Sequence, residues 1–148
     1  MIQTSHSLKW WKLKTKKVLH KYIQLRDVVV KNGSVYAQCL ACKKVWELTT
    51  SYDWKNFHAS HRFRADLFQS VEFNEDNIHG CCYNCNRRLS GNLGDYDINL
   101  RKKIGDERYN ELIRKKNQPH KLTIVELEKI FNEYKTKVKE IKKLKGIK

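Results

Sequence analysis

Cys39-Leu40-Ala41-Cys42, then His58-Ala59-Ser60-His61-Arg62-Phe63, then Asn77-Ile78-His79-Gly80-Cys81-Cys82-Tyr83-Asn84-Cys85-Asn86-Arg87-Arg88: these pieces of one stretch decide how the chain folds. Two Cys-x-x-Cys pairs bracket a histidine-bearing segment. A Cys-x-x-Cys turn points both thiolates at one metal, and two such turns complete a tetrahedral four-thiolate set. Cys39, Cys42, Cys82 and Cys85 therefore read as ligands of a structural Zn²⁺. Such a site is closed and does no chemistry; it clamps distant segments of a small domain. Cys81 is the odd one of the five cysteines. Its spacing to Cys85 suits a knuckle less well, so it reads as packing, with a substitute-ligand role as the alternative.

At 148 residues the chain reads as a single domain with helical extensions. Its net charge of +15 and pI near 9.7 attract polyanions, of which nucleic acid is the commonest. A membrane surface is the competing anionic partner. No apolar run is long enough to span a bilayer, so no membrane association is expected. The segment from Met1 to Trp10 lacks the apolar core of a secretory signal. The expectation is a cytoplasmic protein. Thiols stay reduced there, which favours metal over disulfides.

Outward from the cysteines, residues 1–7 read as disordered, and Ser7 caps a basic helix over 8–27. Its apolar stripe is Leu8, Trp11, Val18, Tyr22 and Leu25, and lysines including Lys16 and Lys17 fill the rest. That helix reads equally as core packing and as a phosphate-contacting arm. Val28–Val30 and Ser34–Ala37 flank Asn32-Gly33 as a hairpin that delivers the first knuckle. Trp46, Tyr52, Trp54 and Phe57 read as core. Residues 56–63 read as a strand with His58 and Ser60 on one face and His61 on the other. Val71-Glu72-Phe73 is a candidate second strand, and 74–80 a loop. The second knuckle opens a helix stopped near Gly91, and two helices separated by Gly105 follow. Thr123 with Glu126 forms a capping box for a last helix. Its stripe of Leu127, Phe131, Tyr134, Val138 and Ile141 reads as packing on the first helix, or as a dimer seam. The lysine tail reads as frayed. His6, His20 and His120 lack comparable context and read as surface residues.

A histidine on a strand between the knuckles, Asn77 before Cys82 and Asn86 directly after Cys85 together resemble the HNH, or ββα-metal, nuclease motif. That resemblance implies His61 as general base, Asn77 as the asparagine that orients the loop and Asn86 as a metal ligand on the helix. The chemistry agrees. Phosphodiester hydrolysis needs a base that titrates near neutrality, which is histidine, and a cation for the developing charge. Oxygen ligands suit Mg²⁺ or Mn²⁺. Many HNH enzymes carry an aspartate directly before the base, where this chain has Ser60. The ligand set then relies on Asn86 with His58, His79 or waters and phosphate.

The run from Asn77 to Asn92, followed by Tyr96, Ile104 and Gly105, resembles the NinG/Rap family of lambdoid phage recombination proteins. The resemblance implies a structure-selective, Mg²⁺- or Mn²⁺-dependent endonuclease acting on branched DNA, including Holliday junctions and D-loops. Arg62, Arg64, Arg87 and Arg88 lie nearest the motif and are the first candidates for contacts to the cut strand. The fold expected is α+β: a small zinc-stapled ββα-metal core over 28–92, flanked by N- and C-terminal α-helices (8–27 and 93–148). The rivals are a non-catalytic zinc-ribbon nucleic-acid-binding module and an HNH nickase acting on linear duplex. Symmetric junction resolution needs two cuts, which favours a homodimer.

Overall fold

The computed structural model describes residues 6–148; of the disorder expected for residues 1–7, positions 1–5 lie outside them, while His6 stacks on Trp10 and Ser7 caps the first helix. Helix α1 (Leu8–Asp27) begins where Ser7 Oγ accepts from the Trp10 N–H at 3.1 Å. It leads into an antiparallel sheet of β1 (Val28–Lys31), β2 (Ser34–Gln38) and β3 (Val45–Glu47). Asn32 and Gly33 take positive φ of 52° and 79° in the β1–β2 turn, the conformation that Asn-Gly supplies at least strain. A short α2 (Ser51–Lys55) follows, closed at its start by a capping box between Thr50 and Asp53. Neither β3 nor α2 is announced by the sequence pattern.

β4 (Phe57–His61) pairs antiparallel with β5 (Ile78–Cys82), register Phe57↔Cys82 to His61↔Ile78. The second strand is therefore not Val71-Glu72-Phe73, which lies at the end of a 3₁₀ turn (Gln69–Val71) in the intervening loop. β5 is buried at every position, because α1 covers one side of the hairpin and α3 the other. A strand buried on both faces shows no alternation. Gly80 is required here by a close approach: a Cβ on it would sit 2.1 Å from Phe57 Cζ.

A short helical turn (Asn84–Arg88) carries the second knuckle onward. Helix α3 (Leu93–Lys116) breaks at Gly105, whose φ of 83° lies outside helical range, so the two expected segments form. Helix α4 (Ile124–Lys145) starts with the Thr123–Glu126 capping box and ends at left-handed Gly146. Its stripe packs on α1: Trp11 meets Phe131 edge-on, Tyr22 meets Tyr134, and Thr15 Oγ1 donates to the Leu127 carbonyl. The expected α1 stripe is only half of that helix's apolar surface. Thr15, Leu19 and Ile23 are fully buried, while Leu8, Trp11, Val18 and Tyr22 are half-buried against α4. The lysine tail is ordered rather than frayed. Lys145 Nζ donates to the carbonyls of Leu25, Arg26 and Val28 at 2.7, 3.0 and 2.7 Å, which caps the end of α1. Of the four aromatics expected in the core, Phe57 is fully buried, Trp46 and Trp54 partly so, and Tyr52 is 72% exposed. Among the described residues no helix is long and apolar enough to cross a membrane.

A buried charge cluster locks α1 to β5 and α3. The Asp27 carboxylate accepts from Arg26 Nε at 2.7 Å, Lys103 Nζ at 2.9 Å and the Gly80 N–H at 2.8 Å. Against the effect of burial, these cations hold its pKa well below the usual carboxylate range. Asp27→Ala leaves the part-buried Arg26 and the more exposed Lys103 without their carboxylate and is expected to cost about 1–3 kcal/mol of stability in urea denaturation. His79 sits in the same cluster. Burial, Lys103 and Arg26 push its pKa from 6.5 down to about 3. A histidine neutral in the fold and protonated in the unfolded chain stabilises fully above pH 6.5, and that contribution is lost as pH falls through 3. The melting temperature is expected to drop between pH 6.5 and 4, and less steeply in His79→Gln.

Candidate metal centre and nucleic-acid cleft

Cys39 directly follows β2 and leads into a turn that Cys42 ends, Cys82 closes β5 and Cys85 lies in the helical turn. All four sulfurs lie within 4.8 Å of one another, and Cys42 Sγ is 3.8 Å from Cys82 Sγ. Tetrahedral Zn–S bonds of ~2.3 Å put sulfurs about 3.8 Å apart, so the set fits Zn²⁺. Each knuckle turns a backbone N–H onto its first sulfur, Cys42 onto Cys39 at 3.5 Å and Cys85 onto Cys82 at 3.4 Å. Asn92 Nδ2 donates to Cys85 Sγ at 3.5 Å. Cys81 is buried in β5 beside Cys39. Cys81 and the N–H groups of Cys42 and Cys82 lower the pKa of Cys39, while burial raises that of Cys85. These four of the five cysteines can hold a metal such as zinc.

A cleft of about 1070 Å³ opens beside this centre. Its floor is β4, contributing His58, Ser60 and His61; α1 supplies Lys16, Lys17, His20 and Lys21, and the helical turn supplies Asn86 and Arg87. β4 has β5 on one side only, and the cleft wraps its other edge, so residues of both strand faces reach it. His61 Nε2 donates to the Glu72 carbonyl at 2.9 Å, which leaves Nδ1 as the lone-pair nitrogen. Burial lowers the His61 pKa, and Lys16 lowers it further. Asn86 Nδ2 donates to His58 Nδ1 at 2.8 Å; with its amide turned over, Asn86 presents Oδ1 to the same point. The donor set of one imidazole and one amide oxygen fits a divalent cation that keeps most of its waters.

Asn77 is fully buried at the base of the loop 62–77. Its Oδ1 accepts from the Phe63 N–H at 2.8 Å, and its Nδ2 donates to the Phe63 and Val71 carbonyls at 3.0 and 3.1 Å. Removing that side chain leaves three buried backbone groups unpaired. Asn77→Ala is expected to lower stability by about 2–4 kcal/mol in denaturant titration.

The structure does not bring every expected residue to the cleft. His79 is only 1% exposed, and its Nδ1 accepts from Lys103 at 2.8 Å and Arg26 at 3.0 Å. Two cations already occupy the point where a metal would bind, which excludes His79 as a ligand. Arg88 is exposed but does not line the cleft. Arg62 lines it while bonded to Asp97 at 2.8 Å, and Arg64 lines it paired with Asp66. Ser60 is 2% exposed and gives its carbonyl to the Tyr96 hydroxyl at 2.6 Å. Lys21 of the basic α1 face lines the cleft too; His20 and Lys55 are cleft residues that sequence reasoning missed, and His20 is half-buried in the cleft wall rather than a free surface residue. The available signal was the four-residue step from Lys16 to His20, which puts both on one helical face.

The family model described as Bacteriophage Lambda NinG protein matches residues 2–145. Protein ninG of Escherichia phage lambda is 30% identical over 133 residues, 90% of this chain and 58% of the relative. Protein ninG of Escherichia phage 933W and that of Salmonella phage P22 are each 28% identical over 133 residues. The chain belongs to the NinG family. It spans 58–59% of the length of these relatives. No solved structure matches it. The expected metal content is one zinc per chain by mass spectrometry under native conditions, with Cys82→Ser losing the zinc and unfolding at lower temperature.

Proposed function

We propose that this chain is a divalent-metal-dependent endonuclease that cuts branched DNA, four-way junctions and D-loops, during phage recombination. The observation that carries the reading is the placing of His61 Nδ1, His58 and Asn86 around one cleft whose walls are lysine and arginine. The β4–β5 hairpin followed by a helical turn supports it as the topology of a ββα-metal core. The phosphodiester backbone lies along the basic walls, which position it without reading sequence. His61 Nδ1 takes a proton from a water, the water oxygen attacks phosphorus, and the P–O3′ bond breaks as solvent protonates the leaving oxygen. His58 and Asn86 would hold Mg²⁺ or Mn²⁺. Bound there, the ion supplies positive charge to the phosphate and leaving oxygens. Two symmetric cuts call for a homodimer, whose contact lies away from the α4 stripe already used on α1.

Ser60 favours a second reading. Buried where many such enzymes carry an aspartate ligand, it weakens the divalent site and suits a non-catalytic zinc module. Cleavage of a labelled four-way junction beside a matched linear duplex, with Mg²⁺, Mn²⁺ or EDTA, separates the readings. Metal-dependent cutting of the junction is expected, reduced about 10²–10⁴-fold in His61→Ala. The acid limb of the kcat/KM profile is expected below pH 6.5, since burial lowers the pKa of the base. Binding without cutting supports the zinc module; equal cutting of linear duplex supports a nickase; unchanged cutting by a folded His61→Ala removes His61 from the mechanism.

A further inference from the structure

His58 and His61 reach the cleft from β4, and a third histidine, His20, reaches it from α1. The His20 and His61 ring centroids are 5.6 Å apart. Among the described residues His20 makes no side-chain hydrogen bond, and neither of its ring nitrogens is among the fully buried atoms that lack one. Its ring nitrogens therefore open on the cleft. The groups that face it are Lys16, one turn earlier on α1, and His61 on β4. Burial, His61 and Lys16 push the His20 pKa down to about 3, so the ring is neutral at working pH. A neutral imidazole offers one N–H donor. An open donor, flanked by lysine and directly beside the general base, suits an anion better than it suits packing.

We propose that His20 is a substrate-contacting residue whose ring N–H donates to a non-bridging oxygen of the phosphodiester in the cleft, beside the phosphorus attacked by the water that His61 activates. The proposal rests on the endonuclease reading for the attack, but not for the phosphate contact.

The test uses the full chain with zinc bound and a synthetic four-way junction. In His61→Ala, histidine ring signals are followed by NMR as junction is added, with the His20 signal assigned by its loss in His20→Gln. The His20 signal is expected to move with the binding midpoint while that of His120, paired with Glu126 elsewhere, stays fixed. A stationary His20 signal at saturation overturns the proposal. In cleavage, His20→Phe fills the ring volume without the donor and is expected to lower kcat/KM about 10²-fold, whereas His20→Gln keeps an N–H and stays within about 10-fold of wild type. Equal cutting by wild type and folded His20→Phe also overturns it. A moving His20 signal on a wild type that cuts no substrate keeps the phosphate contact and defeats the endonuclease reading alone.

Discussion

Four sulfurs within 4.8 Å of one another, a set that can hold a metal, lie where a three-stranded sheet meets a two-stranded one. A lone two-stranded hairpin is marginal in water, and β4–β5 is one. The sulfur set joins its last residue, Cys82, to the turn that leaves β2, and the Leu40 N–H adds a bond to the Gly80 carbonyl at 2.9 Å. Once the hairpin is anchored there, α1 and α3 can bury it from both sides. The cleft inherits that anchoring. Asn86 is the residue after Cys85, so its reach toward His58 is fixed by the same turn that supplies the fourth sulfur.

Charge is partitioned with equal economy. The net charge of +15 opposes compaction, yet the cations taken inside are neutralised locally by Asp27 and accepted by His79. Lys16, Lys17 and Lys21 of α1, none of them in an ion pair among the described residues, line the cleft. Self-repulsion that would weaken a core is thereby concentrated at the cleft.

The ends of elements were legible from single residues. Ser7, Asn32-Gly33, Gly105 and the Thr123–Glu126 box each mark a boundary that the structure keeps, because each acts through its own backbone. The four cysteines were legible from spacing alone. What depends on burial from two sides was not. β5 was read as a loop because glycine, histidine and two cysteines do not alternate, and its strand state comes from α1 and α3 pressing on both faces. The same blindness misplaced His79 and His20. One looked available as a ligand and lies under two cations; the other looked like a surface residue and faces the candidate base. Which neighbour a residue meets across the fold is not written in its local sequence.

The grip of Lys145 on the end of α1 has a consequence for how the molecule is made. The first helix finishes its packing, and loses its dangling carbonyls, only against the last one. Contacts between opposite ends of a chain close slowly, since a long loop must be ordered before they form. During synthesis the cysteine-bound middle can settle early, while the lysine wall of the cleft waits for α4 to emerge from the ribosome. The basic wall of the cleft is thus organised only after α4 has been made.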